Sequence, residues 1–476
     1  MNRLGLKSKN CYFMPRWGKM NADVVIFLNQ QLFEDHFEEQ SLQQLIDAAS
    51  LKGVISPVVG MPDIHSGFGL PIGGVMAMDA EHGLVSAGAV GMDINCGVRL
   101  LKTNIPASEL DKKTTQKLIT SIMSRVPGGV GQKSRHAGLV KKHFKKLVET
   151  GVPYLVELGY GRQEDILNTE DGGCMTGADI LKVSPKAVDR GLQLSTIGGG
   201  NHFIEIGVIE KVYDQNAANI YGLSEGYITI MIHTGSRGFG HQVCTDYSKS
   251  MKKDAKKYNL SIPNSGLAAV PIRSREGSDY LAAMSCAVNF AYCNRQWITD
   301  DLRKAFSEVL GGQDIDYDLG LVYDITHNTA RFENIKGKSM LVHRKGATRA
   351  LPAGHPDNPP AYRETGHPVL IPGSMGSASY VVKAESMVEN IFNSVNHGAG
   401  RVLSRTAAKQ GIAVEDLKNR MKNIIISGSN YKAFLDEAPQ AYKNIDHVVD
   451  TLADIDMIRK VASLFPVAVI KGEDKN

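Results

Sequence analysis

Five side chains able to hold a metal stand far apart in this 476-residue chain, and bringing them to one point is the strongest constraint on its fold. Asp93 and Cys96 lie three residues apart in Gly91-Met92-Asp93-Ile94-Asn95-Cys96-Gly97-Val98-Arg99, a hard oxygen and a soft thiolate on one glycine-flanked backbone. Three histidines sit among small or polar residues: Gly198-Gly199-Gly200-Asn201-His202, His233-Thr234-Gly235-Ser236-Arg237-Gly238 and Thr326-His327-Asn328-Thr329. A centre built from all five needs a chain that folds back on itself as one unit. No long Pro/Ser linker, low-complexity tract or repeating period divides the sequence, so a single large domain over 1–476 is expected.

Composition excludes several classes. Hydrophobic residues make up 42% and charged residues 22%, ordinary globular usage, while 48 glycines exceed the usual share and call for tight turns and close backbone approaches. A net charge of +4 is too small to diagnose a nucleic-acid partner, so any such partner must be argued from local residues. The six cysteines form no C-x-x-C pair, which points to a reducing compartment. With no apolar signal core near Met1 and no apolar run of about 18 residues, the expected location is cytoplasmic.

Helix-like spacing covers 38–52, 108–124 and 278–309, with Ser108 and Ser278 as expected N-caps. The run Tyr227 to Ile232 is apolar and β-branched and leads into His233; Leu319 to Thr326 leads likewise into His327, and Phe203 to Val208 follows His202. Metal-type residues at strand ends suit a rigid yet accessible site. Strands and helices mix without regular βα alternation. The expected class is therefore α+β, mixed sheets with surrounding helices in one large domain.

Glycine beside a ligand lets an ion approach the backbone, which a core histidine does not need. Cys and His suit zinc, oxygen-rich surroundings suit magnesium or manganese, and the mixed set leaves the ion open. Two divalent ions a few Å apart would suit phosphoryl transfer. Asn396-His397-Gly398-Ala399-Gly400-Arg401 is expected to join a helix over 384–395 to one over 402–409, its backbone N–H groups cradling an anion beside a nucleophilic imidazole. The alternative is a glycine-rich helix end with an incidental His. Ile371 to Ser379 is a second loop of glycines and hydroxyls suited to a phosphate or ribose, or a plain surface turn. Gly337-Lys338-Ser339 is not a P-loop, since Phe332 stands where its first glycine belongs. The Lys-x-Asp-Gly motif of ATP-dependent ligases is absent.

His343-Arg344-Lys345-Gly346-Ala347-Thr348-Arg349 reads as a cationic loop for a phosphate backbone, with Arg401 and Arg405 adding charge near His397. Lys141, Lys142, Lys145 and Lys146 are better explained as the solvated face of an amphipathic helix. No interleaved aromatic platform for single strands is evident.

At these segments the chain resembles the RtcB family of GTP-dependent RNA-splicing ligases. The likeness runs from Met61-Pro62-Asp63-Ile64-His65-Ser66-Gly67 through the segments above to Lys471. It implies two manganese ions: Cys96 bridging both, Asp93 and His202 completing one, His233 and His327 the other. It implies that His397 becomes covalently guanylylated by GTP. A guanosine pocket would draw on Asn201, Phe203, Glu205, Asn328, Pro372, Gly373, Ser374, Met375, Ser379, Tyr442 and Lys471, with Gly398, Ala399 and Gly400 on phosphate. Arg237, Arg401 and Arg405 would hold RNA, with Arg344, Lys345 and Arg349 further out. The implied reaction opens a 2′,3′-cyclic phosphate to a 3′-phosphate, activates it with GMP and joins it to a 5′-hydroxyl, in tRNA splicing or RNA repair. The likeness leaves open whether an archease-type activating protein is needed. Two rivals use the same residues: a dinuclear metal phosphoesterase trimming RNA ends, and a non-catalytic RNA-binding subunit.

Overall fold

The β-branched runs around the three histidines become strands of one eight-stranded sheet, those beside His202 and His233 inside it and that before His327 at its edge. The computed structural model describes residues 3–313, 315–428 and 430–472, so 1, 2, 314, 429 and 473–476 of the expected domain lie outside the described residues. In spatial order the sheet runs Gly320–Thr326, Gly97–Pro106, Tyr227–Thr234, Phe203–Val212, Ile458–Ile470, Ser379–Ala384 and Val369–Ile371, with Ile425–Ile426 pairing in parallel onto Ile458–Ile470. A seven-stranded sheet runs Gly5–Ser8, Cys11–Met14, Val24–Phe27, Val54–His65, Ile72–Asp79, Lys338–Lys345 and Asn328–Ile335. Most neighbours are antiparallel, and helices cover the sheets without regular βα alternation, so the expected α+β class holds.

Side-chain alternation sorts the larger sheet into two faces. Ile230, Ile232, Ile204, Ile206 and Leu101 pack with Ile298, Leu302 and Phe306 of the helix Arg275–Leu310. Met231, Phe203, Val98 and Leu100 face the other way. His233 shares that second face, opposite Val98 on one neighbour and Phe203 on the other. A one-residue slip would turn His233 into the helix-covered core, so the same pattern that buries isoleucines aims the histidine.

The helix Arg275–Leu310 is 36 residues long and wedges between two cores: Met284, Val288 and Phe290 in one, Ile298, Leu302 and Phe306 in the other. It starts earlier than its spacing suggests. Ser274, not Ser278, caps it, accepting from the Gly277 N–H at 3.0 Å. Lys112–Arg125 likewise is capped by Asp111, which accepts from Thr114 N at 2.7 Å, because Ala107–Glu109 is taken up by a separate 3-10 turn. The amphipathic reading of Ala137–Thr150 holds: Val140, Leu147 and Val148 are buried, and Lys141, Lys142, Lys145 and Lys146 face outward.

Of the helices expected around His397, the one over 384–395 does not form and the one over 402–409 forms shifted, as Arg405–Gly411. Ser386–Ile391 makes 3-10 turns, and Phe392 and Asn393 then adopt left-handed backbone (φ 59° and 48°). Ser394–Asn396 pairs as a strand with Ala347–Arg349, and the next α-helix begins at Arg405. Strand pairing to a distant segment overrides local helix spacing here. Among the described residues, no helix is long and apolar enough to cross a membrane.

Behind the histidine strands lies a buried ion triad. Asp324 accepts from Arg99 Nε at 2.6 Å and Arg295 NH2 at 2.7 Å, with all three side chains fully buried. Removing the carboxylate strands two guanidiniums without water. Asp324→Ala is therefore expected to lose about 3–5 kcal/mol of stability, read as the shift in a urea unfolding curve.

Candidate metal centre

The five expected ligands converge. Two overlapping sets, Cys96/His233/His327 and Asp93/Cys96/His202, each keep their donor atoms within 4.8 Å, and Cys96 belongs to both. Its Sγ lies 3.3 Å from His202 Nε2 and 3.4 Å from His233 Nε2; His233 and His327 bring their Nε2 atoms to 3.4 Å. Asp93 Oδ2 stands 3.0 Å from His202 Nε2, yet it is buried without a well-formed hydrogen bond. Lone-pair atoms aimed at one another in a dry site repel unless a proton or a metal cation lies between them. The two sets share the Cys96 sulfur, and a donor set of one thiolate, one carboxylate and three imidazoles suits a borderline divalent metal.

Local backbone explains how the ligands meet. Asn95 takes a left-handed conformation (φ 53°), its N–H donating to Asn328 O at 2.8 Å, while Asn328 Nδ2 donates to Asp93 O at 3.0 Å. His327 N donates to Cys96 O at 3.0 Å. Asn328 therefore braces the metal loop, and its Oδ1 accepts from Gly346 N at 2.8 Å. Gly235 lies so close to the Asp93 carboxylate that a Cβ there would collide with it.

Burial pushes the His233 and His327 imidazoles well below their usual range, helped by His202 and His397 at His233 and by His397 and His233 at His327, so both are neutral and ligand-ready at physiological pH. Burial lowers His202 too, against the pull of Asp93. Burial alone would raise Asp93, but the adjoining His202 imidazole and the Arg237 guanidinium bring it down to about 2. Burial and Asp93 push the Cys96 thiol well up. An incoming cation must therefore displace the Cys96 proton.

His397 stands next to this cluster, its ring 4.8 Å from that of His327. Its Nδ1 donates to Asp63 Oδ2 at 2.6 Å, and the same oxygen accepts from His397 N at 3.0 Å and Gly398 N at 3.3 Å. That bond fixes the tautomer and leaves the Nε2 lone pair for chemistry. Asp63 is itself clamped: the buried Lys443 ammonium donates to Pro62 O at 3.1 Å and Ile64 O at 2.6 Å. Gly400 (φ +75°) packs on the Asp63 backbone where any Cβ would clash.

His397 lines a cavity of about 280 Å³ together with Asn201, Phe203, His233, Pro372, Gly373, Ser374, Met375, Gly398, Ala399, Gly400, Arg401, Arg405, Tyr442 and Lys471. His65, Ile72 and Glu437 also line it. Glu437 gathers the far wall: Tyr442 Oη donates to it, and Arg401 NH1, Lys471 Nζ and Arg405 NH2 lie 3.3, 3.9 and 4.0 Å away. Glu205, Asn328, Ser379 and Arg237 stand outside the cavity lining. Ser379 Oγ accepts from Gly373 N at 3.0 Å, and Arg237 NH1 meets His202 Nδ1 at 3.0 Å. Burial pushes the Glu205 carboxyl up to about 8.

The expected cationic loop over 343–349 is corrected. Arg344, Lys345 and Arg349 are buried on strands and hydrogen-bonded or ion-paired within the protein. Arg344 pairs with Glu333 and donates to Ser394 Oγ at 2.8 Å; Lys345 Nζ donates to the Phe68, Leu70 and Gly88 carbonyls; Arg349 pairs with Asp357 at 2.5 Å. A buried cation held by internal acceptors is not presented to a phosphate. Sequence reasoning also passed over the roles of Asp63, Glu437 and Lys443. The Met61-to-Gly67 segment carried a signal for Asp63; the other two stand in no motif.

Two expectations follow. Metal affinity should rise with pH by up to about tenfold per unit for each proton displaced, since the thiol must ionise, and Cys96→Ala should lower the metal bound per chain; titration of the metal-stripped protein checks both. For Glu205, a folded value near 8 against 4.5 for the free side chain means its neutral form is favoured by folding. Stability from this group is full below pH 4.5 and falls as pH rises toward 8, so the melting temperature of Glu205→Gln should gain on the wild type across that window.

The family model described as RtcB, tRNA-splicing ligase RtcB, matches residues 44–472. The tRNA-splicing ligase RtcB of Thermococcus kodakarensis is 43% identical over 471 residues, covering 96% of this chain and 97% of that protein. That of Archaeoglobus fulgidus is 42% identical over 461 residues, 95% of each. The RNA-splicing ligase RtcB of Mycobacterium tuberculosis is 41% identical over 441 residues, 90% of this chain and all of that protein. With a family match over nearly its whole length and relatives this similar, the chain belongs to the RtcB family.

Proposed function

We propose that this protein is a GTP-dependent RNA ligase that joins a 3′-phosphate or 2′,3′-cyclic phosphate end to a 5′-hydroxyl end, in tRNA splicing or RNA repair in the cytoplasm. The observation that carries the reading is the Asp63–His397 pair: an imidazole with its Nδ1 held by a buried carboxylate, beside a cavity and against a metal cluster. A phosphoesterase would have no use for that pair.

Asp63 keeps the His397 Nδ1–H tautomer and compensates the positive charge that grows on the ring as Nε2 bonds to the α-phosphorus of GTP and pyrophosphate leaves. Lys471, Tyr442 and Arg401 line the wall opposite small-residue loops at 372–375 and 398–400, room for a guanosine and its phosphate. Glu205, kept neutral by burial, is a donor rather than a repelling charge. Two manganese ions held by Asp93, Cys96, His202, His233 and His327 would supply charge neutralisation at the reacting phosphates. The P–N bond then breaks as GMP passes to the RNA 3′-phosphate, giving RNA-3′-pp-G. The 5′-hydroxyl of the second RNA displaces GMP, and Arg237 and Arg405 stand near enough to the centre to hold RNA phosphates.

The test is incubation with α-labelled GTP and Mn²⁺. Acid-labile label should appear on the protein, vanish in His397→Ala, and fall about 10²–10⁴-fold in rate in Asp63→Ala. Cys96→Ala should lose both labelling and end joining. Label on the His397→Ala protein, or joining without any guanylylated enzyme, would overturn the reading.

A further inference from the structure

The helix Arg237–Lys257 begins at the metal centre, where Arg237 meets His202, and runs outward for 21 residues. At 3.6 residues per turn, positions 237, 241, 245, 249, 252 and 256 fall within about a third of its circumference. Beyond Arg237 the members of this stripe, His241, Thr245, Lys249, Lys252 and Lys256, are all exposed. The acids of the helix lie elsewhere: Asp246 accepts from Ser184 Oγ at 2.6 Å and Gln242 Nε2 at 2.8 Å, and Asp254 is half-buried on another face. Among the described residues the ion-paired lysine at this end is Lys257, with Glu276 at 2.6 Å, outside the stripe. Among the described residues, Lys249, Lys252 and Lys256 form no ion pair and face solvent.

Phe68 lies beside the stripe. Its ring is 45% exposed, and Lys252 Nζ sits 5.7 Å from the ring centroid. A lone exposed ring is ordinary on a protein surface, and what marks Phe68 is the lysine beside it and its firm backing. It is not loosely held: the buried Lys345 ammonium grips the Phe68 and Leu70 carbonyls, and Gly69 (φ +78°) packs on the Gly88 and Gly266 backbones. The same loop carries His65 and Ile72, on either side of Phe68 in sequence, into the wall of the His397 cavity.

We propose that this helix stripe and Phe68 form the track for one single-stranded RNA arm leaving the joining site, the three lysines pairing with successive phosphates and Phe68 stacking one base. The inference rests on the RNA-ligase reading for its ligand. The stripe spans about 28 Å from residue 237 to residue 256 at about 1.5 Å per residue, a reach of several nucleotides. Cations along a line with one rigid ring favour a flexible strand of any sequence, in the manner of single-strand binders.

The probe is a fluorescent 20-nucleotide single-stranded RNA ending in a 3′-phosphate, titrated by anisotropy with Mn²⁺ but without GTP, so that no chemistry occurs. The triple variant Lys249→Gln/Lys252→Gln/Lys256→Gln is expected to weaken binding about tenfold or more near 0.1 M salt and to lower the slope of log K against log salt by about 2. Phe68→Ala should weaken binding about 5- to 100-fold with the slope kept. The triple Lys→Arg variant should bind as the wild type does, and a three-nucleotide probe should not distinguish any of these proteins. Unchanged affinity and slope in the Gln triple variant, at an unchanged melting temperature, would overturn the track; so would an equal loss on the three-nucleotide probe. A wild type that binds the RNA with the expected slope but never joins ends would sink the ligase reading and leave the track standing. Normal joining with an unaltered slope would do the reverse.

Discussion

The Arg295 guanidinium is the interaction on which the centre depends. It donates to Asn95 O at 3.1 Å, Asn95 Oδ1 at 3.0 Å, Thr234 O at 2.9 Å and the Asp324 carboxylate, so one buried side chain touches all three strand ends that present Cys96, His233 and His327. Burying a guanidinium is unfavourable by itself, and only a complete set of acceptors offsets it. That requirement makes the geometry all-or-none. If one strand end moves, Arg295 loses an acceptor in a place water cannot reach, and the ligands it aligns move with it. Its positive charge also favours a thiolate at Cys96 over a thiol.

The same device recurs around the nucleophile. Lys443 holds the carbonyls on both sides of Asp63, and Lys345 holds those of Phe68, Leu70 and Gly88. The segment from 61 to 70 is thus pinned by two buried ammoniums acting as tethered cations. Burial brings both lysines down to about 8, so each still favours its charged form at neutral pH, the form its carbonyl cage requires. Fixed acceptors and fixed cations together make a loop rigid without the ladder of a sheet.

These buried cations explain what could be read from sequence and what could not. Asp93, Cys96 and the three histidines were legible because each carries its own local mark, a glycine or small polar neighbour, and because strand runs lead into or follow the histidines. The α+β class was legible from the same runs. Arg344, Lys345 and Arg349 were misread because a basic cluster looks alike on a loop and on an inner strand. What decides is Glu333, which supplies the countercharge for Arg344 and Arg349 from the neighbouring strand. The helix expected before His397 failed for a related reason: Ser394–Asn396 gains backbone partners on Ala347–Arg349, a pairing 47 residues away that no local window contains. Non-local pairing is also what brings Phe68 under Lys252 from 184 positions away, so an aromatic platform was not evident in the linear chain.

The centre and the nucleophile are joined through one contact, and its chemistry argues for a division of labour. His327 touches His233 on one side and the His397 ring on the other. Yet the two outer imidazoles are held in opposite ways. His233 keeps Nε2 among the donor atoms of Cys96 and His327, a setting suited to a shared cation, and burial holds it neutral. His397 has a carboxylate on Nδ1, a partner that accepts the Nδ1 proton's hydrogen bond and leaves Nε2 open. Neighbouring histidines of like composition are thereby separated into ligand and nucleophile by what stands behind them, lone pairs for one and Asp63 for the other. Exchanging those backings would give a ligand too readily protonated to hold a metal and a nucleophile without charge compensation. The two roles therefore require Asp63 to reach His397 alone, and the clamp of Lys443 on its flanking carbonyls secures that.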